Sequence, residues 1–309
     1  MKYILAIDLG GTKIIVGLVS KQNKVLNKKL ELIRKNTSQN RLVDLIKKIS
    51  QQVLVESGIK KRDLNAIGIA APGPLDSKKG IIFCAPNLIK IKNFKIVEVL
   101  RKVFQKPAFL ENDAKAAALG EWKYGAGRGA KNMIYLTIST GIGSGIIINN
   151  QLYSGLGQAG EAGHMVINSD GPRCSCGQRG CLESLASGTA IAKRAKEVYK
   201  EIKGLSGLRK IDSRWVFQRA RSGDKIAQKI VKESLIALSI GLANLIHIFQ
   251  PEKIVLGGGV MKNKDLILSI LRKAVAKKLM AGFGKTEIVA AKLGDDSGLI
   301  GLKVLAKTK

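Results

Sequence analysis

Eighteen residues from His164 to Cys181 carry one imidazole and three thiols: His164, Cys174, Cys176 and Cys181. Carboxylates flank them at Glu161 and Glu183. One nitrogen and three sulfur ligands suit a closed, tetrahedral Zn²⁺ site, which would fasten a loop with little core of its own. Both carboxylates would then be held near whatever the loop presents. Gly177 and Gly180 let the backbone fold tightly around an ion. The alternatives are a disulfide or an accidental cluster of thiols. Three neighbouring cysteines with Cys84 far away make a poor disulfide framework, and disulfides belong mainly to secreted chains.

Two further segments share one pattern of apolar strand, glycine turn with threonine, and apolar strand. The first is YILAIDLGGTKIIVGLVS at 3–20 and the second MIYLTISTGIGSGIIIN at 133–149. Each reads as a β-hairpin whose turn exposes backbone N–H groups and a hydroxyl. Gly10, Gly11, Thr12 and Lys13 form one turn, and Thr140, Gly141 and Gly143 the other. Oriented amides without bulky side chains make a nest for phosphate oxygens. A single glycine hairpin is ordinary in any sheet. A matching pair about 130 residues apart predicts two related lobes facing one ligand.

Acidic side chains stand beside these turns. Asp8 closes the first strand and is placed to hold Mg²⁺ through water, or else to form an Asx-turn. In Glu111-Asn112-Asp113, Asp113 follows a predicted strand and opens a helix, where loops of α/β sheets place ligand-binding groups. It could be a helix cap. The triplet is richer than a cap requires: Asn112 offers both donor and acceptor to a sugar hydroxyl, and Asp113 could take a hydroxyl proton during phosphoryl transfer.

The elements that position these groups alternate between strand and helix, which predicts an α/β architecture. Helices are expected near Asn40–Ser57, over the alanine-rich Glu111–Gly125, at Ser187–Lys203, as one long helix at Trp215–Phe249, and from Ser297. Strands are expected at Leu64–Ala71, Pro107–Leu110 and Lys253–Leu256, the last running into Gly257–Gly259, where the chain could approach a planar ligand. The expected division is 1–118 and 119–296, with a soft boundary and the C-terminal helix returning to the first lobe. The run Gly155–Gly160 spells GxGxxG but opens no helix in a βαβ unit, and no GxxxxGK[ST] is present. His247 reads as a satisfied core or helix-end histidine, and Cys84 as a small buried hydrophobe.

At 309 residues with 45% hydrophobic and 25% charged content, the chain can bury a large core. Asp8 cuts short the apolar run after Met1-Lys2, so no signal peptide is read. Ser239, Asn244 and His247 interrupt the apolar stretch Leu235–Phe249, which falls short of a membrane span. A cytoplasmic location is the expectation. The net charge of +30 invites a nucleic-acid reading. Against it, the span 111–190 holds only 6 Lys/Arg, matched by 6 acids, and aromatic residues make up only 5%. Base-stacking platforms are therefore scarce, and a generally basic, solvated surface is the simpler reading.

DLGGTK at 8–13, ENDAKAAALGE at 111–121, STGIGSG at 139–145, GEAGH at 160–164, CSCGQRGCLE at 174–183 and LGGGV at 256–260 together resemble the ROK family of sugar kinases and sugar-responsive repressors. The resemblance covers nearly the whole chain and is strongest toward the zinc-containing bacterial glucokinases. It implies the actin-like ATPase (ribonuclease H-like) fold, with two α/β lobes around a central cleft. It implies Asp113 as the base for the hexose 6-hydroxyl. Gly73, Asn87, Asn112, Glu161, His164 and Glu183 would contact the sugar. The two glycine turns would grip ATP phosphates, with Gly258 and Gly259 close to adenosine. One His164 nitrogen would bind zinc and the other face the sugar; four protein ligands make that zinc structural. A homodimer is the family-based expectation.

Three positions depart from the family pattern. Lys115 stands where asparagine is usual, Ser139 and Ser144 replace glycines, and LIKIKNF after Asn87 lacks a tryptophan, which leaves the hexose open. An N-acetylmannosamine, N-acetylglucosamine or fructose kinase is the nearest alternative. A repressor of this family would carry a helix-turn-helix ahead of the first turn, which here starts at Asp8. A two-metal nuclease built on Asp8, Asp113 and Asp295 or Asp296 would leave the sugar constellation unexplained.

Overall fold

The computed structural model of the chain describes residues 2–84, 91–203 and 211–307. The first glycine turn is the tip of a hairpin in which β1 (Tyr3–Leu9) pairs antiparallel with β2 (Lys13–Ser20), Leu9 opposite Ile14. Next come β3 (Val25–Leu32), α1 (Gln39–Glu56) and β4 (Leu64–Ala71). A small three-stranded sheet of β5 (Leu75–Asp76), β6 (Ile81–Cys84) and β7 (Lys92–Phe94) leads to α2 (Ile96–Phe104), β8 (Ala108–Asn112) and α3 (Asp113–Tyr124). The main sheet runs β3-β2-β1-β4-β8, with β1, β4 and β8 parallel.

The second half repeats this plan. β9 (Met133–Ile138) and β10 (Ile142–Ile148) form the second glycine hairpin, and β11 (Gln151–Tyr153) extends it. Four helices follow the 160–183 loop: α4 (Leu182–Ala186), α5 (Gly188–Lys203), α6 (Ser213–Arg221) and α7 (Lys225–Phe249). The chain finishes with β12 (Lys253–Gly257), α8 (Lys264–Ala276), β13 (Glu287–Ala290) and α9 (Ser297–Leu305). The second sheet runs β11-β10-β9-β12-β13, with β9, β12 and β13 parallel. Each sheet is thus an antiparallel hairpin ribbon joined to parallel strands in the same order.

Alternating residues of β1 feed two cores, as strand geometry demands. Leu5, Ile7 and Leu9 join the buried faces of α1 and α2, while Ile4 and Ala6 point into a layer shared by both halves. That layer holds α3 and α9, and the two helices are exchanged. α3 leaves the first sheet and packs on β9 and β10; α9 leaves the second and packs on β1, β2 and β4. They cross through Gly120 and Gly301, where a Cβ on either would overlap backbone of the opposing helix: Ser297 O for Gly120, Ala116 O for Gly301. Backbone cannot give way as a side-chain tip can. Gly301→Ala is expected to cost about 3 kcal/mol, the upper end for overpacking. Gly298→Ala, one turn earlier with open space at its Cβ, should be neutral or slightly stabilising. Paired thermal-melt midpoints check this.

Glu121 fixes the same crossing. It is fully buried, and its carboxylate accepts from the N–H of Ala126, Lys292 and Leu293 and from the Ser297 hydroxyl, at 2.7–3.0 Å. Such charge-assisted bonds offset the cost of burying the group.

Two expectations need correction. Trp215–Phe249 is two helices, because Gly223 adopts φ +86° and Asp224 caps α7 by accepting from Ile226 N and Ala227 N. Cys84 is exposed, since the end of β6 runs past the core that takes Ile82. His247 is satisfied as expected, accepting from Met280 N at 3.2 Å with Phe283 edge-on. Among the described residues, α7 alone has the length and apolarity to cross a membrane, but 67% of its apolar window is buried in the fold.

Candidate functional site

The parallel strands of both sheets end on the side that carries the glycine turns. In the first sheet, Asp8 is the last residue but one of β1, Gly73 follows β4, and Asn112 closes β8, with Ala71 and Asn112 in register. Crevices at the carboxyl ends of such strands are where α/β sheets bind ligands. Asn112 is the N-cap of α3: its Oδ1 accepts from Ala114 N at 3.0 Å and Lys115 N at 3.1 Å. That releases Asp113 from the capping duty foreseen as its alternative role; its carboxylate accepts from its own backbone N–H and from Ala114 N, the latter at 2.7 Å. Asn112 keeps its amide NH₂ as a donor.

The acids at this edge act on one another through their charges. The Asp8 carboxyl is pushed up to about 7, first by burial and then by Asp113, with Lys13 opposing and Asp295 adding. Burial likewise holds Asp113 above the usual carboxylate range, against the N–H of Ala114. Asp295, considered from sequence only as a nuclease ligand, comes from the turn before α9 that Glu121 anchors. The buried Asp8 carboxylate, with Asp113 and Asp295 adding negative charge around it, offers the hard oxygen donor that Mg²⁺ takes, so its chemistry fits the ion.

The second hairpin turn meets this edge. Gly143 lies against the first turn of α3, where a Cβ on it would stand 3.0 Å from Ala114 Cβ. Ser139 N donates to Gly141 O, and Gly188 N donates to Ser139 O at 2.7 Å, which ties the turn to α5. Gly258, at φ +90°, packs on the Ile138 backbone, and Gly259 lies beside Ser139, so the glycines after β12 and the turn around Thr140 form one surface.

The 160–183 loop joins from the same half. Glu183 Oε2 accepts from Ile142 N at 2.9 Å and lies over Gly141, linking this acid to the second turn. Glu161 Oε1 would be 4.0 Å from a Cβ on Gly73, which brings the two halves together. Lys115 is buried, its Nζ donates to Gly157 O at 2.7 Å, and its ammonium is lowered by burial while Glu111 and Glu161 pull it back up. Asn87 lies outside the described residues.

The ligand atoms of His164, Cys174, Cys176 and Cys181 all lie within 4.8 Å of one another. Cys176 Sγ is 3.6 Å from Cys181 Sγ, and Cys174 Sγ is 3.6 Å from His164 Nδ1. Sulfurs about 2.3 Å from a tetrahedral zinc stand about 3.8 Å apart, so the donor set fits Zn²⁺ and is too open for a disulfide. The Cys176 thiol is lowered by the Gln178 N–H, while burial and the neighbouring thiols push Cys181 up to about 12. Zinc binds thiolates, so metal binding at this cluster would release the thiol protons. Gly180, at φ +67°, has no room for a Cβ against Asn168 O.

The role of Glu121 and the Lys115–Gly157 bond escaped the sequence reading, which takes Asp295 only as a nuclease ligand. Only Asp295 carried a local signal, an acid pair directly after Gly294.

A family model described as the ROK family matches residues 4–309. A glucokinase of Thermotoga maritima is 37% identical, over 99% of this chain and 98% of its own length. Among solved structures, the ROK hexokinase of Thermus thermophilus superposes with a TM-score of 0.85 at 34% identity, covering 99% of this chain and all of that one. A ROK family glucokinase of Streptomyces griseus, in complex with glucose and AMPPNP, gives 0.85 at 32% identity with the same coverage.

Proposed function

The chain belongs to the ROK family, and from that premise we propose that it is an ATP-dependent kinase that moves the γ-phosphoryl group of ATP to the 6-hydroxyl of glucose. One observation carries the assignment to this site. Asp8 near the end of β1 and Asp113 just past β8 lie at the same edge of one sheet, and the helix that Asp113 opens meets Gly143 of the other half's glycine turn. The fold is the two-lobed actin-like ATPase fold of the ROK kinases.

In the proposed mechanism Asp113 takes the proton of the 6-hydroxyl as its oxygen attacks the γ-phosphorus. The bond from that phosphorus to the β–γ bridging oxygen breaks, and ADP leaves. The Gly10 N–H closes the first turn on Lys13 O, which presents the amides of Gly11 and Thr12 to phosphate oxygens; Thr140, Gly141 and Gly143 do so from the other turn, with Lys13 beside the phosphates and Gly258 and Gly259 against adenosine. Asp8 would hold Mg²⁺, which supplies charge neutralisation at the phosphates. Gly73, Asn87, Asn112, Glu161, His164 and Glu183 contact the sugar, supported for Gly73 and Glu161 by their mutual approach. The Cys₃His cluster is a structural zinc site that holds Glu161, His164 and Glu183 in place.

The division 1–118 and 119–296 with a returning C-terminal helix is supported by α9 packing on β1, β2 and β4. A cytoplasmic location, a homodimer, and a basic surface that binds neither nucleic acid nor membrane complete the proposal; the homodimer rests on the family alone. A coupled ADP-release assay over glucose, mannose, fructose, N-acetylglucosamine and N-acetylmannosamine, with ATP and Mg²⁺, tests it. Glucose should give the highest kcat/KM. An N-acetylhexosamine or fructose in first place would select the alternative kinase, and no sugar-dependent ADP would remove the kinase reading.

A further inference from the structure

We propose that Lys115 and Ser144 are positioning residues that clasp the loop 154–160 against the base-bearing helix and so set the affinity for hexose. The inference rests on Glu161 as a hexose contact.

Lys115 is the third residue of α3, two beyond Asp113, and only 4% exposed. Its Nζ crosses to donate to Gly157 O at 2.7 Å. Ser144, 3% exposed on β10, donates from Oγ to Gly160 O at 2.5 Å. The two donors are neighbours: a Cβ on Gly145 would stand 3.0 Å from Lys115 Cα, so helix and strand meet where both side chains leave for the loop.

The loop needs such a clasp. Gly155, Gly157 and Gly160 all take positive φ, of +52°, +129° and +103°, and Leu156 is fully exposed, so no apolar side chain there anchors it. Its own bonds, Gly157 N and Ala159 N to Ser154 O, close a turn without tying it to the fold. Glycine-rich backbone loses much conformational freedom on ordering. The residue after Gly160 is Glu161, whose carboxylate reaches Gly73 of the other half and lies within electrostatic range of the Lys115 ammonium. Holding the loop therefore fixes the approach of Glu161 to the sugar.

Lys115→Met and Ser144→Ala, singly and together in the full chain, test the clasp. Each should raise the glucose KM about tenfold, the effect of losing a strong hydrogen bond, with kcat and the ATP KM within about twofold. The double variant should resemble the singles instead of reaching about a hundredfold, because either break frees the same loop. Ser144→Ala removes one atom and carries the test alone if Lys115→Met does not fold. An unchanged glucose KM with a lowered thermal midpoint would mean that the pair only stabilises. A loss in kcat alone would put Lys115 on the base instead. Multiplicative effects would refute a shared loop. In each case wild-type glucose-dependent ADP release would stand, whereas its absence would strike the kinase reading itself.

Discussion

Asp113→Asn lowers kcat about 10³-fold while the glucose dissociation constant moves by less than about threefold; that is the expected result, within the range for loss of a general base. The amide matches the carboxyl in shape and cannot take a proton. Folding should not confuse the outcome, because Asn112 performs the capping of α3. The variant should melt no lower than the wild type, since burial already penalises the ionised Asp113. The same penalty predicts the pH profile. The base works only ionised, so activity falls as pH drops through its folded pKa. Because that pKa is raised, the acid limb of kcat/KM should lie above the ordinary aspartate value of about 3.9. Near-normal turnover by the asparagine variant would dismiss Asp113 as the base.

The second large effect concerns the metal loop. Cys176→Ser should reduce zinc from about one equivalent per chain to a small fraction, because a hydroxyl is a poor substitute for thiolate. Cys176 is the exposed member of the cluster, so no core contact is lost with its sulfur. The loop should then loosen, since metal affinity in such sites is folding free energy. Glucose affinity is expected to fall at least about tenfold, because Glu161, His164 and Glu183 all ride on this loop. Nucleotide affinity should change far less: Gly10–Lys13 lie in the other half, and the second turn is also tied to α5 through Gly188 and Ser139. Metal analysis and calorimetry with glucose and a non-hydrolysable ATP analogue check both arms. Unchanged zinc content, or zinc loss with unchanged glucose affinity, would separate the cluster from the sugar.

The legible parts of the site share one property: their signals are local. Four metal ligands within eighteen residues, two glycine hairpins and an acid at a strand–helix junction each depend on neighbours in sequence. The internal repeat of the sheets could be anticipated from the paired hairpins. Groups whose meaning depends on distant partners stayed hidden. Glu121 looks like a surface acid on an alanine-rich helix, yet it accepts from Lys292, Leu293 and Ser297, some 170 residues away. Lys115 looked like a misfit in a sugar loop and instead reaches Gly157. The exchange of α3 and α9 follows from Gly120 meeting Ser297 and Gly301 meeting Ala116, which spacing within either helix does not reveal. The break between α6 and α7 is different in kind. Gly223 and Asp224 are a helix stop followed by a cap, readable in place but outweighed by the apolar period on either side.

The central claim is that the proton leaving the hexose comes from its 6-hydroxyl and that this oxygen receives the phosphoryl group. Steady-state ADP release with glucose, set against 6-deoxyglucose as substrate and as competitor, tests it most directly. 6-Deoxyglucose should support no transfer yet inhibit competitively, with an inhibition constant near the glucose dissociation constant. ADP release from 6-deoxyglucose above the sugar-free background, matched by a sugar phosphate at another hydroxyl, would contradict it.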